Sequence, residues 1–115
     1  MKMETIEERV ERLEYYNRLT VQSINLRTYP FYTLVMEKHL TEAEVEDVLS
    51  LCNELHRRFT AQTENGYVQY LPLLLHFAGM LNSKLKPGET IEVLRLQGIH
   101  PELMDKLYEL ARRYE

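Results

Sequence analysis

Side chains able to do covalent or acid–base chemistry are few in this 115-residue chain. Cys52 and His56 stand four residues apart, a spacing that on a helix puts both on one face, where an imidazole can draw the proton from a thiol and create a nucleophile. The surrounding pattern argues for a structural cysteine instead. Val45, Val48, Leu49, Cys52, Leu55 and Phe59 recur at helical spacing, so Cys52 falls in the centre of an apolar stripe, where a thiol behaves as a small hydrophobe. His39, His56, His76 and His100 lie in different segments, and no two have the three- or four-residue spacing of a local metal site. Glu42, Glu44, Glu46 and Asp47 crowd into the opening turns of a helix, where the helix dipole accounts for acids without a catalytic role. No glycine-rich phosphate loop follows a strand, because no strand is predicted. The expectation is a non-enzymatic protein with no catalytic residue, no metal site and no cofactor.

The most apolar stretch is QYLPLLLHFAGML, residues 69 to 81. A membrane span needs about twenty apolar residues; this run is interrupted by His76 and ends at Asn82, Ser83 and Lys84, so no membrane is expected. On a helical wheel Leu71, Leu73, Leu74, Leu75, Phe77, Ala78, Met80 and Leu81 cover more than half the circumference, wider than the stripe of a surface helix. This central helix is expected to be surrounded, by its own domain alone or by its domain together with a neighbouring subunit. Gln69, Pro72, His76, Gly79 and Ser83 gather on one narrow polar strip. Two accounts stand: a solvent slit or close helix crossing with a hydrogen-bonded His76, or a pocket whose polar groups are Gln69, His76 and Ser83.

The elements that would position these residues are all helical. Gly and Pro are few and act as punctuation, and no segment alternates with period two. The first helix should run from about Met3 to about Arg27, stopping before Tyr29–Pro30 because the residue preceding a proline leaves the helical region. A second spans roughly Pro30 to His39, with proline in its first turn. Thr41 and Glu44 form a capping box for the third, which Gly66 ends. The apolar stretch is the fourth. Lys86 to Glu89 reads as a turn, Thr90 caps a short fifth helix that Gly98 ends, and the sixth starts at Pro101 and runs to the C-terminus. The fold class is all-α: one multihelical domain, residues 1–115, of about six helices, with a long N-terminal helix.

That first helix has two apolar faces. Ile6, Val10, Leu13, Asn17, Thr20 and Ile24 alternate steps of four and three, the spacing of a helix–helix seam. With Val10, Asn17 and Ile24 at a, Arg9 falls at g and Glu14 at the following e, where a parallel copy would pair them. Tyr15, Leu19 and Leu26 form a second stripe on nearly the opposite side. The plain alternative is a helix clamped between neighbours of its own chain. Asn17 favours self-association, because a polar residue in an apolar seam is satisfied by its own symmetry mate and fixes the register. Tyr15, Tyr16 and Tyr32 are further candidates for contact with a partner.

Residues 90–107 have the skeleton of a helix-turn-helix: a short capped helix, Gly98, then a helix whose Met104 and Leu107 point inward. Glu102 and Asp105 lead the would-be recognition helix, with Lys106 alone among them and Arg112 and Arg113 late, which argues against nucleic acid. The charge balance agrees: 18 acids against 14 bases give a net −4, so no basic field draws in nucleic acid or anionic lipid. A lone cysteine excludes an internal disulfide, and Met1 to Arg12 lack the apolar core of a signal peptide; both fit the cytoplasm.

RVERLEYY at 9–16, YPFYTLV at 29–35 and LLLHFAGMLN at 73–82 together resemble the YhaI-like family of short uncharacterised proteins from Bacillus and relatives. The resemblance runs through nearly the whole chain and implies an all-helical, multihelical fold and a self-associating cytoplasmic bacterial protein. That family has no assigned activity, so it transfers no catalytic residues. At Asn17 the family pattern is expected to carry a large aliphatic residue, which would make the asparagine particular to this sequence. The leading expectation is a homo-oligomer that binds another protein as adaptor or regulator. A small-molecule binder with a pocket between helices is second, and a DNA-associated regulator using 90–107 third.

Overall fold

The computed structural model describes residues 3–23 and 28–114. Six helices follow in order: α1 Ile6–Ser23, α2 Pro30–Glu37, α3 Glu42–Glu64, α4 Tyr70–Met80, α5 Pro87–Gln97 and α6 Pro101–Arg113. There is no strand among the described residues.

The helix boundaries follow local chemistry. Thr41 Oγ1 accepts from Glu44 N at 3.2 Å while Glu44 Oε1 accepts from Thr41 N at 2.9 Å, so the expected capping box opens α3. Three helices end on one pair of crossed backbone bonds around a left-handed residue. His39 does this after α2, with φ 56°, Gly66 after α3 and Gly98 after α5. α2 is therefore two residues shorter than expected. His39 has left the helix to supply the turn.

Two expectations about α5 fail for one reason. Lys86 to Glu89 is not a turn and Thr90 is not a cap: the helix already begins at Pro87, with Lys86 extended before it. Proline is preorganised for a first helical turn, and the residue preceding it is driven extended, so this pair starts a helix as readily as it makes a turn. Thr90 is fully buried, and its hydroxyl donates back to Lys86 O at 2.7 Å.

α2 to α6 share one core. It contains Phe31 and Leu34 of α2, Val48, Cys52, Leu55 and Phe59 of α3, Leu73, Leu74 and Phe77 of α4, Ile91 and Leu94 of α5, and Leu103, Met104 and Leu107 of α6. α5 packs on α2 and α6, and α4 on α6 and α3. Gln97 fastens α5 to the start of α2: its Oε1 accepts from Phe31 N at 2.9 Å and Tyr32 N at 3.2 Å.

α1 contributes no buried residue. It is not clamped between neighbours of its own chain, as the plain alternative held, and the molecule measures 69 Å along one axis against 25 and 24 Å along the others. α4 is not surrounded within the chain either. Leu73, Leu74 and Phe77 are buried, whereas Leu75 and Met80 are 62% and 67% exposed, because neighbours cover only the side of α4 facing α3 and α6.

Candidate interaction surface

α1 is set locally. Thr5 Oγ1 accepts from Glu8 N at 3.1 Å and starts the helix at Ile6, three residues later than the expected start at about Met3. Glu4, just ahead of it, takes Arg12 in a two-bond clasp, Oε2 from Nε at 2.9 Å and Oε1 from Nη2 at 2.8 Å. Arg12 also lies over the Tyr16 ring and Arg18 over the Tyr15 ring. These contacts order the surface of α1. They cover neither of its apolar faces.

Along the seam, Ile6 is 82% exposed, Val10 46% and Leu13 50%, and Asn17 and Thr20 are also exposed. Ile24 lies outside the described residues. Thr20 is suited to an apolar seam because its hydroxyl already donates to Tyr16 O at 2.8 Å, which leaves its methyl for packing. On the other face Tyr15 and Leu19 are exposed as well; Leu26 lies outside the described residues. Among the described residues, neither Arg9 nor Glu14 belongs to an ion pair.

Magnitudes sharpen the point. Fully burying a leucine-sized side chain is worth roughly 1.5–3 kcal/mol, and each core helix has at least two; α1 has none. Local side-chain pairs contribute only a few tenths of a kcal/mol each, and helices under about 12–15 residues are marginal in water even with the best formers. At 18 residues without a covered face, α1 is only slightly past that limit.

The polar strip on α4 is shorter than the wheel drew it. Gln69 precedes the helix, its backbone N–H donating to Gln62 Oε1 at 2.8 Å, and Ser83 lies in the turn beyond Leu81, whose backbone is extended. Of the three proposed pocket groups only His76 is on the helix. It is half-buried, while Gln69 and Ser83 are exposed. The two most voluminous of the hollows among the described residues lie elsewhere. One, about 660 Å³, runs along α6 between Phe59, Arg95, Glu102, Asp105 and Tyr108. The other, about 540 Å³, is apolar and lies between Leu71, Leu75, Pro87, Ala111 and Tyr114. Neither is lined by Gln69, His76 or Ser83.

Cys52 and His56 form no nucleophilic pair. Burial pushes the Cys52 thiol up to about 12, and the His56 ring stacks instead on His100, centroids 4.3 Å apart. His100 Nε2 is 2.8 Å from Asn53 Oδ1. Sequence spacing gave no sign of this histidine pair, because its members come from α3 and from the turn between α5 and α6. Among the described residues no group of three or more His, Cys, Asp or Glu is placed to hold a metal ion, and no described helix is long and apolar enough to cross a membrane.

In the α5–α6 unit Met104 and Leu107 are buried, as the helix-turn-helix skeleton requires, while Glu102 and Asp105 are exposed on the leading turns of α6. Arg95 stacks over Tyr108 at 4.4 Å and lies 3.7 Å from Asp105. The face therefore mixes both signs of charge.

The model of the family described as Protein of unknown function (DUF1878) matches residues 3–112. The match takes in α1 as well as the helices of the core.

Proposed function

From the premise that the chain belongs to the DUF1878 family, we propose a non-enzymatic protein that self-associates through α1 and acts as an adaptor or regulator by binding another protein. The observation that carries this reading is that both apolar faces of α1 are uncovered. Ile6, Val10, Leu13, Asn17, Thr20 and Ile24 form the seam, with a second copy as partner. A parallel arrangement lets Asn17 meet Asn17 and Arg9 meet Glu14 across the seam. Within the family we place the chain in the YhaI-like group on its three motifs, working in the bacterial cytoplasm.

The test is helicity against concentration. Pairing stabilises a helix that is otherwise marginal, so ellipticity at 222 nm rises with protein concentration in the wild type. Val10→Glu places a charge in the seam and removes that rise. Helicity independent of concentration in the wild type counts against the reading.

The apolar hollow beside Leu71 and Tyr114 favours a second reading, a small-molecule binder, since such sites are concave and mostly apolar. A thermal-shift screen over apolar metabolites tests it. A reproducible shift that Leu75→Glu removes supports this reading, and no shift across the screen dismisses it.

A further inference from the structure

We infer that the hollow along α6 beside Arg95 is a binding site for a small zwitterion, a free α-amino acid with an apolar side group. Its carboxylate meets Arg95 and Arg112, and its ammonium meets the acids of α6. The site involves neither α1 nor the apolar hollow at Leu71 and Tyr114, so it stands whether or not α1 pairs.

Arg95 carries the inference. Its guanidinium lies over the Tyr108 ring at 4.4 Å and its side chain is only 29% exposed, so a permanent charge is largely withdrawn from water. Its Nε is buried with no hydrogen-bond partner among the described residues. Asp105, its ion-pair partner, stands 3.7 Å from Nη1, too far for a hydrogen bond. Water satisfies the donors of an ordinary surface arginine; here the chain has drawn one donor in and supplied no acceptor. Buried donors are nearly always satisfied, and the exceptions call for a bound group. Arg112 approaches the same tyrosine ring, at 5.7 Å. Two guanidiniums on one ring repel each other until an anion joins them, and a carboxylate matches their planar forks. It reaches Arg95 from the hollow, which Arg95 lines, and a small turn of the side chain brings Nε to it.

A simple anion does not suit the rest of the wall. Glu102, Asp105 and Glu109 line the hollow in number equal to its bases, and all three are exposed on one side of α6. Among the described residues neither Glu102 nor Glu109 belongs to an ion pair. These carboxylates repel a phosphate or sulfate as the arginines attract it, whereas a ligand carrying an ammonium beside its carboxylate satisfies both signs at once. Phe59 and Tyr108 add an aromatic wall for the side group. The volume of about 660 Å³ falls within the roughly 300–1,000 Å³ of small-molecule sites.

The Arg95 Nε–H gives its own signal in a nitrogen–proton correlation spectrum, assigned by its loss in Arg95→Gln, so titrations of the full chain read the site directly. The probes are L-phenylalanine, phenylpropionate, which lacks the ammonium, and phenethylamine, which lacks the carboxylate. The expected result is a saturable shift of Arg95 Nε–H and of the α6 amides with L-phenylalanine, and a dissociation constant at least about tenfold weaker for each analogue. In Arg95→Gln the α6 amides should no longer shift. No saturable shift at millimolar L-phenylalanine overturns the site, as do α6 shifts that persist in Arg95→Gln. Either analogue binding as tightly as L-phenylalanine overturns the zwitterion. Should Arg95→Gln fold poorly, Arg112→Gln changes an exposed side chain and should weaken binding at least about threefold; unchanged binding in that variant overturns the site.

Discussion

The imidazole of His100 lies on that of His56, ring centroids 4.3 Å apart and planes 22° from parallel, which joins the α5–α6 turn to the middle of α3. Burial first and the neighbouring His56 second hold the His100 pKa below its usual 6.5. His100 also stands at the N-terminus of α6, where the helix dipole opposes a positive charge.

Acidification should therefore loosen the fold. With the folded pKa depressed, the unfolded chain binds the proton first, so stability falls as pH drops through 6.5 and levels off below the folded value. His100→Asn removes the titration and tolerates the left-handed backbone at φ 46°. Denaturant midpoints measured from pH 7.5 to 5 should fall less steeply in the variant; equal slopes would remove His100 from the account.

Glu44 gives a second, lower pH window. Lys84, the Thr41 backbone and Asn82 hydrogen-bond its carboxylate, in that order of importance, and hold it near 2 against 4.5. Here the folded pKa is depressed in an acid, so the stabilisation is present above 4.5 and is lost as pH falls toward 2. Glu44→Gln should lower the thermal midpoint at pH 7 and flatten its fall between pH 4.5 and 2. A midpoint unchanged at pH 7 would mean that the clasp joining α3 to the α4–α5 turn contributes nothing.

Gln97 caps a helix distant in sequence. Gln97→Ala strands two backbone donors at the start of α2 and should cost about 1 kcal/mol, as loss of an N-cap does. Gln97→Glu keeps the acceptor and adds a charge that the α2 dipole favours, so its unfolding midpoint in urea should stay near the wild type.

His39 occupies a left-handed turn position that glycine takes after α3 and α5. Since that conformation costs a side-chain-bearing residue about 1–2 kcal/mol, His39→Gly should raise stability by up to about 1 kcal/mol, the remainder being offset by glycine's greater freedom when unfolded. A lower midpoint in thermal unfolding would show that the His39 side chain makes a contact that outweighs the strain.

Much of this fold is legible in the sequence because its boundaries are set by neighbours along the chain. Thr41–Glu44, Gly66, Gly98 and Pro101 each act within one turn of a helix, and each ends or begins a helix where expected. Pro87 misled because proline opens turns and helices alike. Contacts between distant segments leave no periodic trace: the His56–His100 stack, the Gln97 cap and the Lys84–Glu44–Asn82 clasp needed the folded chain. The wheel for α4 was right about which residues are apolar, but the chain's own helices cover only some of them, since a wheel counts side chains and not neighbours. At α1 the same limit worked the other way. Two apolar stripes were visible in the sequence, and only the structure shows that, among the described residues, its own chain buries no member of either.

The most direct test of self-association through α1 is the mass of the protein in solution, measured by sedimentation equilibrium across a hundredfold range of concentration, beside Val10→Glu. The account predicts a wild-type mass that rises to a multiple of 13.8 kDa, and a Val10→Glu protein that stays at the single-chain value and keeps the wild-type thermal midpoint at concentrations where both are monomeric, because α1 buries no residue and Val10 is not packed against the core. A wild-type mass fixed at 13.8 kDa throughout, or a Val10→Glu protein that associates as strongly as the wild type, would contradict it.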